Sequence, residues 1–143
     1  MTRSNMTTTT TNKEEVFIVR EQDVVPLRNR VKDYAIAAGM SILNQTKLIT
    51  ATSELVRNLL KYGGGGRVLI EALVIGRDNG VRVTFIDNGP GIADLSLAMK
   101  DGYSTGKSMG LGLPGTKRLV NEFAIQSELG KGTTVTIIKW KNG

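Results

Sequence analysis

The sequence predicts an α/β fold, a two-layer sandwich in which one mixed β-sheet is covered on one face by helices. Three observations carry this prediction. Apolar residues recur at helical spacing in two long stretches before residue 63 and in a shorter one after residue 112. Short runs rich in β-branched residues, bounded by glycine turns, occupy most of the remainder. No internal repeat or interdomain linker interrupts the order strand, helix, helix, strands, loop, helix, strands, and 143 residues suit a single core.

Residues 1–13 (MTRSNMTTTTTNK) are rich in Thr and Asn, which bury little apolar surface, so they are expected to form a disordered tail ahead of one folded domain, 14–143. Glu15 to Arg20 (EVFIVR) reads as a strand. Asp23 is a candidate N-cap, after which Val24, Leu27, Val31, Tyr34, Ala35 and Ala38 repeat with helical period until Gly39 stops them. A second helix is expected from about Asn44 to Tyr62, ended by the four glycines Gly63 to Gly66. Val68 to Ile75 and Val81 to Ile86 read as strands joined by a turn at Asp78-Asn79-Gly80. Asp94 to Met99 suits a short helix, and Gly102 to Gly112 a Gly/Ser-rich loop. Leu113 to Phe123 reads as a helix with Pro114 in its first turn, followed by strands Ala124 to Glu128 and Thr133 to Trp140 around Gly130-Lys131-Gly132.

Composition narrows the chemistry. Hydrophobic residues at 40% and charged residues at 22% describe a soluble globular chain. No apolar run approaches the ~18 residues of a membrane span, and the start carries no signal-peptide core, so a cytoplasmic protein with no membrane partner is expected. With no Cys and no His there is no disulfide, thiolate, Ser-His pair or phosphohistidine. Proton transfer falls to carboxylates, Lys or Tyr, and any metal is expected to be a hard ion such as magnesium. The net charge of +6 is spread along the chain with few aromatics, which argues against nucleic acid and for acidic partners.

Three stretches carry candidate chemistry. In the second helix Leu48, Thr52, Leu55, Val56 and Leu59 form one apolar stripe, while Glu54, Asn58 and Lys61 share a line on the far side. That line is either a solvated face with a Glu-Lys pair or one wall of a site whose end the glycine run leaves open. Asp87-Asn88-Gly89-Pro90-Gly91 follows a strand directly. It is either a plain turn or a base pocket, since a carboxylate accepts hydrogen bonds as the adenine amino group requires. Gly110, Gly112 and Gly115 mimic a dinucleotide fingerprint, with Glu128 roughly where its ribose acid might fall, and Gly102 to Ser108 mimics a P-loop one residue short. Both lack the preceding strand. What remains is a glycine loop opening a helix, whose free N–H groups favour phosphate.

Together these pieces resemble the GHKL (Bergerat-fold) ATPase superfamily over about Glu15 to Trp140. Glu54-Leu55-Val56-Arg57-Asn58 resembles its N box and Asp87-Asn88-Gly89-Pro90-Gly91 its DxGxG box. Gly110-Leu111-Gly112-Leu113 resembles the glycine box after the ATP lid, and Gly132-Thr133 the terminal Gly-Thr box. The resemblance implies ATP and magnesium as cofactors. It makes Glu54 the general base, Asn58 the magnesium ligand and Asp87 the adenine acceptor assisted by Thr133. The implied ATP-binding set also holds Gly89, Gly91, Gly106, Lys107, Gly110, Leu111, Gly112 and Leu113. SELVRN, DNGPGI, DGYSTGKSMGLGLPGTKRL and the closing IKW are similar to the RsbT-type switch kinases of the bacterial stressosome. That likeness implies a serine/threonine kinase whose substrates are STAS-domain scaffold proteins and which then activates a PP2C-type phosphatase. An anti-sigma factor kinase and a non-catalytic ATP-gated coactivator are the alternatives.

Overall fold

A computed structural model describes residues 7–87, 89 and 112–143. Five strands, β1 (Thr8–Ile18), β2 (Gly66–Ile75), β3 (Asp78–Asp87), β4 (Glu122–Glu128) and β5 (Gly132–Trp140), form one sheet in the order β1-β2-β3-β5-β4. Among the described residues there are three helices, α1 (Val24–Ala37), α2 (Ile42–Gly63) and α3 (Gly112–Arg118), and a 3₁₀ turn at Glu21–Asp23 before α1. The α/β sandwich is as expected, with one difference. All four pairings are antiparallel, so the sheet is not mixed. The chain leaves β3 and returns through α3 to the sheet edge as β4, which then folds back as β5 between β4 and β3.

The core follows from alternation. Val68 and Ile70 of β2, Val81, Val83 and Phe85 of β3, and Val135 and Ile137 of β5 point to the helices and are buried with Leu27, Val31 and Tyr34 of α1. The apolar stripe anticipated on α2, comprising Leu48, Thr52, Leu55, Val56 and Leu59, is buried in full. Ser41 caps α2, its Oγ accepting from the Asn44 N–H at 3.1 Å, and Gly64 closes it in the left-handed conformation at φ 71°. On the opposite face, Leu73, Ile75 and Trp140 make a second small cluster.

Several boundaries depart from the sequence reading. Residues 8–13 are strand, not tail, because the β-branched Thr run pairs with the outer half of β2, and Thr10 Oγ1 donates to Glu71 at 3.3 Å. Ion pairs fasten the rest of β1: Glu14 to Arg30 of α1, and Glu15 to Arg67 of β2. The Arg30 guanidinium holds the Glu14 carboxyl below its ordinary value, chiefly by hydrogen bonding against an opposing push from burial. That link therefore stabilises above the normal carboxylate range and is lost as pH falls through the lowered value. The β2–β3 turn falls at Gly76-Arg77, with Gly76 at φ 60°, so Asp78-Asn79-Gly80 is strand. Gly80 serves packing instead, since a Cβ there would lie 2.5 Å from the Trp140 ring. Asp23 caps backward, accepting from the Val19 and Arg20 N–H groups at 2.9 and 3.1 Å. Helix α3 ends at Arg118 because Asn121 turns the chain into β4, its side chain accepting from the Trp140 N–H at 2.7 Å. No described helix is long and apolar enough to cross a membrane.

One polar atom in this core is left over. Thr52 is fully buried, and its hydroxyl has no hydrogen-bond partner among the described residues. An unpaired buried hydroxyl costs about 1–3 kcal/mol. Thr52→Val keeps the shape and removes the penalty, so it is expected to stabilise by about 1 kcal/mol and raise Tm by roughly 3 °C. Thermal unfolding followed by circular dichroism measures this, and a lowered Tm would show that the hydroxyl is satisfied.

Candidate nucleotide site

The candidate site lies where α2 ends against the ends of β3 and β5, and glycine makes that meeting possible. A Cβ on Gly63, the last residue of α2, would fall 2.6 Å from both Cβ and Cγ of Asp87. A Cβ on Gly89 would fall 2.8 Å from Gly63 Cα. Real side chains do not approach so closely, so the helix end, Asp87 and the turn after it can nest only without them. The sequence reading took the Gly63 to Gly66 run as an open helix end. At Gly63 it is a close contact with the candidate base acceptor.

Asp87 is held by backbone donors. Its Oδ1 accepts from the Gly89 N–H at 2.8 Å and the Thr133 N–H at 3.2 Å, while Oδ2 has no partner among the described residues. Asp87, Thr133 and Ser127 form a row across β3, β5 and β4 on the helix-covered face, immediately beyond the apolar row Phe85, Val135, Ile125. The Thr133 and Ser127 hydroxyls lie 2.7 Å apart. The anticipated residues Asp87, Gly89 and Thr133 are thus brought together. Ser127 was missed, although the turn at Gly130-Lys131-Gly132 places it directly opposite Thr133.

Along α2, the Glu54 side chain is only 15% exposed and pairs with Arg57, Nη1 to Oε1 at 3.1 Å. Asn58 is half-buried, and its amide makes no hydrogen bond among the described residues. Lys61 does not pair with Glu54; its ammonium sits 5.2 Å from the centre of the Tyr62 ring. At 1.5 Å rise per residue, Asn58 and Glu54 lie about 7 Å and about 13 Å along the axis from Gly63. The described residues hold no cluster of three or more metal-ligating side chains. A lone amide oxygen fits a magnesium ion held mainly by phosphates and water.

Gly112 and Leu113 open α3, Gly112 at φ 71° and Leu113 packed against the core. Gly91, Gly106, Lys107, Gly110 and Leu111 lie outside the described residues, as do the expected Asp94–Met99 helix and the glycine loop. A separate cleft of about 390 Å³ opens beside α1, lined by Asn12, Arg30, Asp33, Tyr34 and Asn79 among others. It contains none of the candidate residues, and its Arg30 is already engaged by Glu14 and Asp33.

A helix-covered antiparallel sheet, with a carboxylate at the end of β3 and a Glu/Asn pair on the helix that meets it, defines a class. Residues 43–142 match the family model described as histidine kinase-, DNA gyrase B-, and HSP90-like ATPase, and the chain belongs to that family. Among individual proteins, it is 40% identical over 125 residues to the serine/threonine-protein kinase RsbT of Bacillus subtilis (strain 168), covering 87% of this chain and 94% of that one. It is 29% identical over 137 residues to an anti-sigma F factor of Thermoanaerobacter sp. (strain X514), covering 91% and 94%. The fold resembles the structure of the RsbU and RsbW domains of Rv1364c from Mycobacterium tuberculosis, with TM-score 0.62 and 20% identity over 90% of this chain and 32% of that one.

The glycine contact yields a test. Gly63→Ala is expected to push Asp87 out of place and weaken ATP binding by about tenfold, the loss of one charged hydrogen bond. Gly64→Ala strains a left-handed position with nothing within 4 Å, so it should lower stability and spare affinity. Calorimetric titration of both variants measures the contrast, and equal affinities would dissociate the glycine contact from the nucleotide.

Proposed function

We propose that this chain is a protein serine/threonine kinase that transfers the γ-phosphoryl group of ATP to a STAS-domain regulatory protein in a partner-switching stress module, and on release activates a PP2C-type phosphatase. The observation that carries the reading is the 40% identity to RsbT, extending over most of both chains. The geometry supports it from the residues upward. Asp87 Oδ2 is the acceptor for the adenine amino group, with Oδ1 anchored by two N–H groups. ATP then extends back along α2, its phosphates toward Asn58 and Glu54.

Asn58 is the protein group that would hold magnesium, which when bound neutralises phosphate charge and aligns the transfer. Glu54 takes the proton of the incoming hydroxyl as its oxygen forms a bond to the γ-phosphorus and the bond to the ADP oxygen breaks. Arg57 orients the Glu54 carboxylate through its 3.1 Å contact. The family likeness implies that Gly91, Gly106, Lys107, Gly110 and Leu111 bind nucleotide beside Gly112 and Leu113. The acceptor hydroxyl is presented by another folded protein in the cytoplasm.

An anti-sigma factor kinase is the second reading, supported by the 29% identity to an anti-sigma F factor. Co-purification with sigma factors distinguishes it.

Labelled ATP and candidate STAS proteins test the mechanism. Glu54→Ala is expected to keep ATP affinity near wild type while phosphorylation falls by about 10²–10⁴. Asp87→Asn is expected to weaken ATP binding by about tenfold or more. Wild-type transfer by Glu54→Ala would remove the base, and ATP binding without transfer to any partner would leave a binding module.

A further inference from the structure

Large aliphatic side chains that face water are ordinarily scattered singly over a domain, and a group of them marks a surface that is covered in use. Around the turn joining α1 to α2, three stand within eight residues: Ile36 at 53% exposure, Ile42 at 78% and Leu43 at 65%. The buried stripe of α2 begins only at Leu48, and Ser41 already caps the helix through Asn44, so the fold does not require Ile42 and Leu43 to be apolar. Cations surround the same turn. Lys141 lies over it, since a Cβ on Gly39 would fall 3.2 Å from Lys141 Cε, and Asn44 Nδ2 donates to the Lys141 carbonyl at 3.2 Å. Lys47 follows Leu43 by one helical turn. Burial first, and then the charge of Lys47, hold the Lys139 ammonium below the ordinary lysine value, so these two cations are neighbours. Lys139 donates to the Gly143 carbonyl at 3.2 Å, and among the described residues no Asp or Glu side chain pairs with any of the three lysines.

We propose that the α1–α2 turn is a docking surface for an acidic segment with an apolar face, carried by the phosphatase partner and not by the phosphoacceptor. The inference rests on the reading that the chain engages these two partners in turn. Ile42 and Leu43 form the desolvated centre of the contact, and the lysines form a rim matched to carboxylates. Place in the fold separates the two partners. At helix rise the turn lies about 32 Å along α2 from Gly63 and about 18 Å from Glu54. A phosphoacceptor must bring its hydroxyl to Glu54. A partner that is only activated needs no access to the nucleotide, and the remote end of α2 offers it a surface free of the site.

The double variant Ile42→Ser, Leu43→Ser and the single variant Lys141→Glu test this against a purified PP2C-type phosphatase and a STAS protein. The double variant is expected to weaken phosphatase binding by about thirtyfold, the scale of a lost apolar anchor. Lys141→Glu is expected to slow phosphatase association by about tenfold at low salt, with the effect fading as salt rises. Both are expected to keep ATP affinity and the KM for the STAS protein within about twofold. All three side chains are exposed, so thermal unfolding should be unchanged, and Lys141→Glu carries the test should the double variant unfold. Phosphatase binding unaltered in both variants, or absent in the unmodified chain, overturns the surface and leaves the kinase reading standing. An equal loss of STAS phosphorylation also overturns it, because the turn then serves the phosphoacceptor. So does a dimer of the unmodified chain that the double variant dissociates while phosphatase binding persists. If the double variant loses the phosphatase while the unmodified chain phosphorylates no STAS protein, the kinase reading fails and the surface stands.

Discussion

Contact between the end of α2 and the end of β3 is the constraint on which the rest of this molecule depends. Two elements far apart in sequence bring their backbones together at Gly63 and Gly89, with the Asp87 side chain between them. A long helix ordinarily rests on a sheet at the distance its side chains dictate. Here glycine removes that spacing at one end only, so α2 is seated against the strand that carries the carboxylate. Its capped start and buried stripe keep it rigid from Ser41 onward. Glu54 and Asn58 therefore stand at a fixed separation from Asp87, set by helix rise.

The sheet makes a complementary contribution across its width. Antiparallel pairing in direct register lets a single lateral row run through three strands, and the row chosen is the first one past the apolar core. Inside it Phe85, Val135 and Ile125 exclude water. At it, the Asp87 carboxylate accepts from the Thr133 N–H, and the Thr133 and Ser127 hydroxyls bond each other. The boundary between core and site is thus one residue step along each strand. Such a step places polar groups beside a low-dielectric wall, where hydrogen bonding discriminates more sharply than in open water.

Helices α1 and α2 were legible in the sequence because period and punctuation agreed. The α2 stripe, Gly39 and the glycine stop each had one physical reading, and Asp87, Gly89 and Thr133 could be placed together through the family likeness. What the sequence hid were the uses of residues with several possible roles. Gly80 follows Asp78-Asn79 and reads as a turn, yet its purpose is the face of Trp140, seen only once β3 and β5 are paired. The Thr run reads as polar tail until β2 supplies a ladder for it. Ser127 is an ordinary strand serine unless register is known, since register alone sets it opposite Thr133. Helix α3 was drawn too long because its end is decided by Asn121 reaching Trp140, a contact between elements.

The Trp140–Gly80 contact has a practical side. It holds the chain's single tryptophan, nearly sealed from solvent, with its ring nitrogen donating to Glu122 at 2.7 Å. It sits across β3 from Gly80, seven residues before Asp87, which at strand rise is about 24 Å from the candidate site. It also lies on the sheet face turned away from the helices. Its emission is therefore an internal gauge of whether the sheet is intact, insulated from whatever occupies the far end. A variant that leaves this fluorescence untouched while losing its ligand has lost chemistry, not structure.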